Sequence, residues 1–129
     1  MIPALIVCHG GLGEALLRAL EGIYGEVEGL QVQSNEGLST LELEKAVAAR
    51  LAGLGQEALA FTDYFGGSCA AACMAAAREQ QGVSVISGVN LPMLLYYIAH
   101  RREMKIADIL RGLIHRGQNS IRELRPPSL

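Results

Sequence analysis

One histidine stands where the sequence could place reactive chemistry. His9 directly follows the apolar run 4–8 and precedes Gly10 and Gly11, whose lack of side chains leaves one approach to the ring open. An imidazole nitrogen in such a turn can act as a nucleophile, a base or a metal ligand. A lone histidine most often has a structural role, but this position favours a functional one.

Asp63 ends a second apolar run, 58–62. A carboxylate there is costly unless it is paired. If the two runs are neighbouring strands, Asp63 can reach His9, fix its tautomer and stabilise the positive charge that develops on the ring. The alternative is a helix cap or a turn former.

The segment Gly66-Gly67-Ser68 opens a predicted helix. Backbone N–H groups at a helix start, beside a hydroxyl, form an anion site; an ordinary turn with a serine cap fits the segment equally well. A nucleophilic imidazole, an orienting carboxylate and an anion cradle together indicate phosphoryl transfer through phosphohistidine.

Apolar runs alternate with helical periods, which predicts strands at 4–8, 30–34, 58–62 and 83–86, a helix after each and a fifth helix closed by Gly117. Ser39 and Glu42 form a capping-box signature at the second helix. A short last strand is predicted at 120–124. This order is typical of an α/β fold, an open, mostly parallel sheet with helices on both faces, whose chemistry collects at the carboxyl ends of strands.

The composition bounds the protein class. The 129 residues make one domain, predicted as 1–124 with a short tail at 125–129. A hydrophobic share of 50% against 19% charged residues excludes a disordered chain. A net charge of −2, 5% aromatic residues and no Trp argue against a nucleic-acid partner. The odd cysteine count of 3 and the lack of a secretory signal predict a reducing, cytoplasmic location.

Other ligand-binding motifs are weak or absent. Cys69 and Cys73 stand four residues apart on one predicted helix, but only Cys8 and three scattered histidines could complete a metal site, so buried thiols are the better interpretation. Neither a P-loop nor a complete dinucleotide fingerprint is present. We expect no metal and no cofactor.

Three segments carry a resemblance to a known family. They are Ile6-Val7-Cys8-His9-Gly10, Asp63-Tyr64-Phe65-Gly66-Gly67-Ser68 and Ser87-Gly88-Val89-Asn90-Leu91-Pro92-Met93. Their order and spacing over nearly the whole chain resemble the IIA domain of the mannose family of the bacterial phosphoenolpyruvate-dependent sugar phosphotransferase system. Two positions depart from the family pattern, because Phe65 stands where Trp is frequent and Cys69 where Pro is frequent.

The resemblance implies that His9 is phosphorylated by the phosphocarrier HPr and passes the group to a IIB component. It implies that Asp63 orients His9 and that Gly67 and Ser68 bind the phosphate. Further site-lining or partner-facing positions would be Gly10, Phe65, Gly66 and Asn90.

For the sheet we expect the strand order 2-1-3-4. The resemblance also implies a homodimer that exchanges the strand 120–124. The short tail predicts a IIA protein with no fused IIB domain, which meets the membrane only through a permease complex.

Three alternatives stay open at this stage. The first is the phosphotransfer subunit of dihydroxyacetone kinase, and the second is a hydrolase that uses Ser68, His9 and Asp63 as a triad. The third is a nucleotide- or flavin-binding module. The sugar, the IIB partner and the choice between transport and regulation are not encoded in these motifs.

Overall fold

Four strands and five helices follow one another in the computed structural model, which describes residues 1–128. Each of the four strands leads into a helix, as the alternating pattern predicts. The elements are β1 (Ala4–Cys8), α1 (Leu12–Tyr24), β2 (Leu30–Ser34), α2 (Thr40–Leu54), β3 (Ala58–Thr62), α3 (Ser68–Glu79), β4 (Val83–Ser87), α4 (Leu91–His100) and α5 (Ile106–Asn119).

The sheet has the order β2-β1-β3-β4, and its pairs are all parallel, which confirms the predicted topology. In its register Ala4 lies between Leu30 and Leu59. The central strands β1 and β3 are buried at every position. Both faces of the sheet are covered, which is why these two strands read as unbroken apolar runs.

Two hydrophobic cores lie on opposite faces of the sheet, because successive strand residues point to opposite sides. Ile6 and Phe61 pack with α1, α4 and α5 on one face. Leu5 and Ala60 pack with α2 and α3 on the other. The helices therefore hold β1 and β3 rigidly from both sides, and the carboxyl ends of these two strands carry His9 and Asp63.

Local signals explain several element boundaries. The capping box at α2 is present, since the Glu42 N–H donates to Ser39 Oγ at 3.1 Å and the Ser39 N–H donates to Glu42 Oε1 at 2.9 Å. Gly82, before β4, is required by a close approach, because a Cβ there would lie 1.6 Å from the carbonyl oxygen of Gln56.

The C-terminal end differs from the sequence prediction. Helix α5 runs to Asn119 rather than stopping at Gly117. Gly117 is buried in the helix, where its missing side chain lets α5 approach Met93: a Cβ would lie 2.9 Å from Met93 Cγ. The glycine serves helix packing instead of termination.

The strand predicted at 120–124 is not formed within the chain. Ser120 closes α5, and residues 121–128 have no regular secondary structure. Ile121 and Leu124 are 87% and 90% exposed. Pairing of this segment with a second copy stays a prediction, and Leu129, the last residue of the predicted tail, lies outside the described residues. Within residues 1–128, no helix has both the length and the apolar character needed to span a membrane.

Candidate active site

His9 and Asp63 meet because β1 and β3 are neighbours and each residue directly follows its strand. One carboxylate oxygen, Asp63 Oδ2, accepts two hydrogen bonds from His9. The backbone N–H of His9 donates at 2.8 Å, and ring Nδ1 lies at 2.8 Å from the same oxygen. The carboxylate therefore fixes both the backbone and the ring of the histidine.

The Asp63 carboxyl is ionised at neutral pH. Burial alone would raise its pKa, but the hydrogen bonds and charge of His9 and the Tyr64 N–H together lower the pKa below its usual value. The second oxygen, Oδ1, accepts from the Tyr64 N–H at 3.1 Å and from Thr62 Oγ1 at 3.4 Å. An ionised carboxylate only accepts hydrogen bonds. Nδ1 of His9 therefore carries a proton, so in the neutral ring Nε2 is the nitrogen that presents a lone pair.

The Nε2 edge of His9 faces the start of α3. Ser68 Oγ lies 3.3 Å from Nε2, and Ser68 is the first residue of α3, with Gly67 at the N-cap. The first N–H groups of a helix have no partner within it, and they carry the positive end of the helix dipole. The side chain of His9 is 36% exposed against 9% for Asp63, so the ring is accessible while the carboxylate behind it is shielded.

Glycines shape the two loops of the site. Gly10 and Gly66 have φ angles of +57° and +96°, which side-chain-bearing residues rarely adopt. Gly67 is required for a different reason, because a Cβ there would lie 2.8 Å from the ring of Tyr64. That ring packs beside the imidazole of His9, with 5.3 Å between the ring centroids. Gly67 thus makes room for the aromatic wall of the site.

The end of β2 supplies two residues that sequence reasoning missed. Asn35 Oδ1 accepts from the Gly10 N–H at 2.9 Å, and the Ser34 hydroxyl donates to the Gly10 carbonyl oxygen at 2.8 Å. They hold the loop that carries His9. A signal was available, since both residues lie at the carboxyl end of the strand that pairs with β1.

Two further predicted site residues line a cleft and cap a helix. Phe65 is 89% exposed, at the rim of a largely apolar cleft of about 390 Å³ that also contacts Gly66 and Met74. Asn90 caps α4, where its Oδ1 accepts from the Met93 N–H at 3.0 Å. Within residues 1–128, no hydrogen bond joins Asn90 to His9, so its structural role is that of a helix cap.

The three cysteines are buried and free, as expected. Burial raises the pKa of Cys8 and Cys73 to about 12 and that of Cys69 to about 11. Cys69 differs from the others in its neighbours. Its Sγ, a ring nitrogen of His9 and a carboxylate oxygen of Asp63 all lie within 4.8 Å of one another.

Comparison with known proteins assigns the chain to a family. The family model described as "PTS system fructose IIA component" matches residues 4–114. The chain therefore belongs to the IIA family of the sugar phosphotransferase system that its sequence motifs resemble.

Individual relatives agree with this assignment. The chain is 31% identical over 123 residues to the fructose-specific EIIA component of Bacillus subtilis, covering 93% of this chain and 84% of the relative. The crystal structure of an EIIA component from Streptococcus agalactiae superposes with a TM-score of 0.89 at 27% identity, covering 95% of this chain and 97% of that one. The mannose/sorbose-specific IIA subunit of Enterococcus faecalis, at 23% identity, shares the fold with a TM-score of 0.86 over 100% of this chain and 99% of its own.

Proposed function

We propose that this protein is a phosphocarrier that accepts a phosphoryl group from HPr on Nε2 of His9 and passes it to a IIB component. The family supports a phosphocarrier role in a sugar phosphotransferase system. The observation that supports Nε2 of His9 as the phosphorylated atom is the 2.8 Å contact between Asp63 and Nδ1, which leaves Nε2 as the free nucleophile beside Ser68.

The transfer balances without a cofactor. The Nε2 lone pair of His9 attacks the phosphorus of the phosphohistidine on HPr, the N–P bond of the donor breaks, and its electron pair returns to the donor ring. His9 keeps its proton on Nδ1, so its phosphorylated ring carries a positive charge. The Asp63 carboxylate offsets this charge, as the aspartate of a serine-protease triad offsets that of its imidazolium. The reverse displacement delivers the group to the IIB component.

The start of α3 is suited to the phosphoryl oxygens. The Ser68 hydroxyl already lies 3.3 Å from Nε2, so it can turn to donate to an oxygen on the new N–P bond. Backbone N–H groups at the helix start add donors and the favourable end of the dipole. Gly67 keeps this approach free of a side chain. Gly10 lies in the loop beside His9, and Gly66 and the exposed Phe65 lie in the loop that leads into α3. We expect HPr and the IIB component to dock against these two loops.

One observation favours a second function. Ser68 Oγ, His9 Nε2, His9 Nδ1 and Asp63 Oδ2 follow one another in the order of a hydrolase triad. Family membership supports the carrier, and the sequence contains no Gly-x-Ser-x-Gly nucleophile motif. The two functions differ in the atom that becomes covalently modified, so labelling separates them.

The test is incubation with phosphoenolpyruvate, enzyme I and HPr, followed by mass spectrometry. A carrier gains one phosphoryl group that is labile to acid and stable to base. His9→Ala should abolish it, whereas Ser68→Ala should still be labelled, at a rate about 10- to 150-fold lower if its hydrogen bond to a charged group contributes about 1.5–3 kcal/mol. A label on a Ser68 peptide, or turnover of a chromogenic ester that Ser68→Ala abolishes, would establish the hydrolase instead.

We also propose that the protein is a homodimer that works in the cytoplasm. The edge strand β4 has a strand neighbour on one side only. An apolar groove next to it is lined by Ile86, Met93 and Ile114 and continues to Ile121 at the start of the exposed tail. A tail from a second copy can add to this edge and cover the groove. Three free cysteines suit a reducing compartment.

A further inference from the structure

A second kind of ligand fits the residues around His9. The sequence pairs Cys69 with Cys73 as possible metal ligands, because they stand four residues apart. The structure instead groups Cys69 with His9 and Asp63, whose ligand atoms lie within 4.8 Å of one another. Cys73, one turn further along α3, is not part of this group.

We propose that Cys69, His9 and Asp63 form a zinc site, and that the zinc-bound protein cannot accept a phosphoryl group. The second half of this statement depends on the phosphocarrier function proposed above. The first half depends only on the three ligands.

The donor set identifies the metal class. A thiolate, an imidazole and a carboxylate are all zinc ligands, whereas Mg²⁺ and Ca²⁺ prefer oxygen ligands alone. Zinc-to-ligand distances of about 2.0–2.3 Å in a tetrahedron place ligand atoms about 3.5 Å apart. The ligand atoms lie within 4.8 Å of one another, so each pair must approach by at most about 1.3 Å. His9 Nδ1 and Asp63 Oδ2, at 2.8 Å, must instead separate by about 0.7 Å if both bind the ion. Both shifts are within reach of side-chain rotation. Three protein ligands leave a fourth position for water.

Charge and access also suit a divalent cation. Cys69 as a thiolate and Asp63 as a carboxylate together neutralise Zn²⁺, so the zinc-loaded, partly buried site carries no net charge. Cys69 is fully buried, but the ring of His9 is 36% exposed and gives the ion a route from solvent. Binding releases the thiol proton of Cys69 to solvent as the S–Zn bond forms.

Either ring nitrogen of His9 leads to the same block. Zinc on Nε2 occupies the lone pair that attacks phosphorus. Zinc on Nδ1 displaces the proton held by Asp63, and the neutral ring then carries its proton on Nε2. In both cases the free Nε2 lone pair needed for phosphoryl transfer is lost, and Asp63 no longer orients the ring.

The test measures binding and transfer separately. Equilibrium dialysis of Zn²⁺ against the full chain should give one site per chain. Cys69→Ala and Cys69→Ser should weaken it at least about 100-fold, because loss of an outer-shell partner alone costs about 10- to 100-fold. Cys73→Ala is the matched control, since it removes a buried thiol from the same helix and should bind Zn²⁺ as the unsubstituted chain does. Circular dichroism establishes that each variant is folded.

Transfer is then measured from purified phospho-HPr with and without one equivalent of Zn²⁺. Added Zn²⁺ should lower the transfer rate at least tenfold in the unsubstituted chain and in Cys73→Ala. In the Cys69 variants it should lower the rate less than twofold, and since all variants receive the group from the same phospho-HPr, an effect of Zn²⁺ on the donor would appear in all of them. Equal Zn²⁺ affinity in all variants, or no binding to the unsubstituted chain, overturns the zinc site. Binding without inhibition overturns the block. If metal-free protein accepts no phosphoryl group, the proposed phosphocarrier function fails. The dialysis result then decides by itself whether Cys69, His9 and Asp63 bind zinc.

Discussion

Asp63→Asn replaces a carboxylate with an amide of nearly the same shape, so it tests the charge of Asp63 rather than its volume. The two Asp63 oxygens face four donors: the backbone N–H and ring Nδ1–H of His9 on one oxygen, and the Tyr64 N–H and Thr62 hydroxyl on the other. An amide has one oxygen and one NH₂ group. Whichever way it turns, its NH₂ meets a side of the site that supplies only donors.

The expected loss follows from two limits. A hydrogen bond to a charged group contributes about 1.5–3 kcal/mol, which corresponds to about 10- to 150-fold in rate at 1.4 kcal/mol per tenfold. If the NH₂ group faces the ring, it favours the wrong tautomer, for which the serine-protease triad sets a loss of about 10⁴. We expect phosphoryl transfer from phospho-HPr to slow by between about 10-fold and about 10⁴-fold, with labelling still confined to His9.

Rapid-quench kinetics with ³²P-labelled phospho-HPr measure this rate. Asp108→Asn is the matched control, because Asp108 is the only other aspartate and lies exposed on α5 beside Arg111. It should transfer at the rate of the unsubstituted chain. A rate for Asp63→Asn within threefold of that control would refute the role assigned to the carboxylate.

Three further predictions concern stability and assembly. The folded-state pKa of Asp63 lies below its ordinary value of about 3.9, so its contribution to stability is present above about pH 4 and is lost as the pH falls through the folded-state pKa. Urea unfolding should therefore show that Asp63→Asn loses less stability in acid than the unsubstituted chain does. Gly82→Ala should lower the free energy of unfolding by about 1–3 kcal/mol or more, because its Cβ would overlap the Gln56 carbonyl. Gly53→Ala, in open space on α2, should raise the free energy of unfolding by about 0.5–1 kcal/mol. Equal melting temperatures for the two variants would contradict both expectations. Light scattering should give a dimer mass for the full chain and a monomer mass for a variant ending at Ser120; a monomeric full chain would contradict strand exchange.

The strands, and the places of His9 and Asp63 at two strand ends, were predictable from sequence because they depend on short-range signals. Continuous apolar runs mark β1 and β3 as buried on both faces, and the rule that chemistry collects at strand ends then places both residues at one edge. Periodicity alone does not say which strands are neighbours, so the contact between His9 and Asp63 also depended on the expected strand order.

The remaining features depend on contacts between segments distant in sequence. Asn35 reads as a turn former until β2 is known to pair with β1, and only then does its amide reach Gly10. Cys69 reads as a partner of Cys73 until α3 is placed beside β1. Gly117 reads as a helix stop because its contact with Met93, 24 residues earlier, is not visible in the local pattern.

The central claim is that Asp63 holds the proton on Nδ1 so that Nε2 of His9 carries the phosphoryl group. Nuclear magnetic resonance of protein labelled with ¹⁵N in its histidine rings, after phosphorylation by phospho-HPr, tests this directly. We predict nitrogen–phosphorus coupling at Nε2 of His9 and a proton retained on Nδ1. Coupling at Nδ1, or a phosphoryl group on Ser68 with both His9 nitrogens unmodified, would contradict the account.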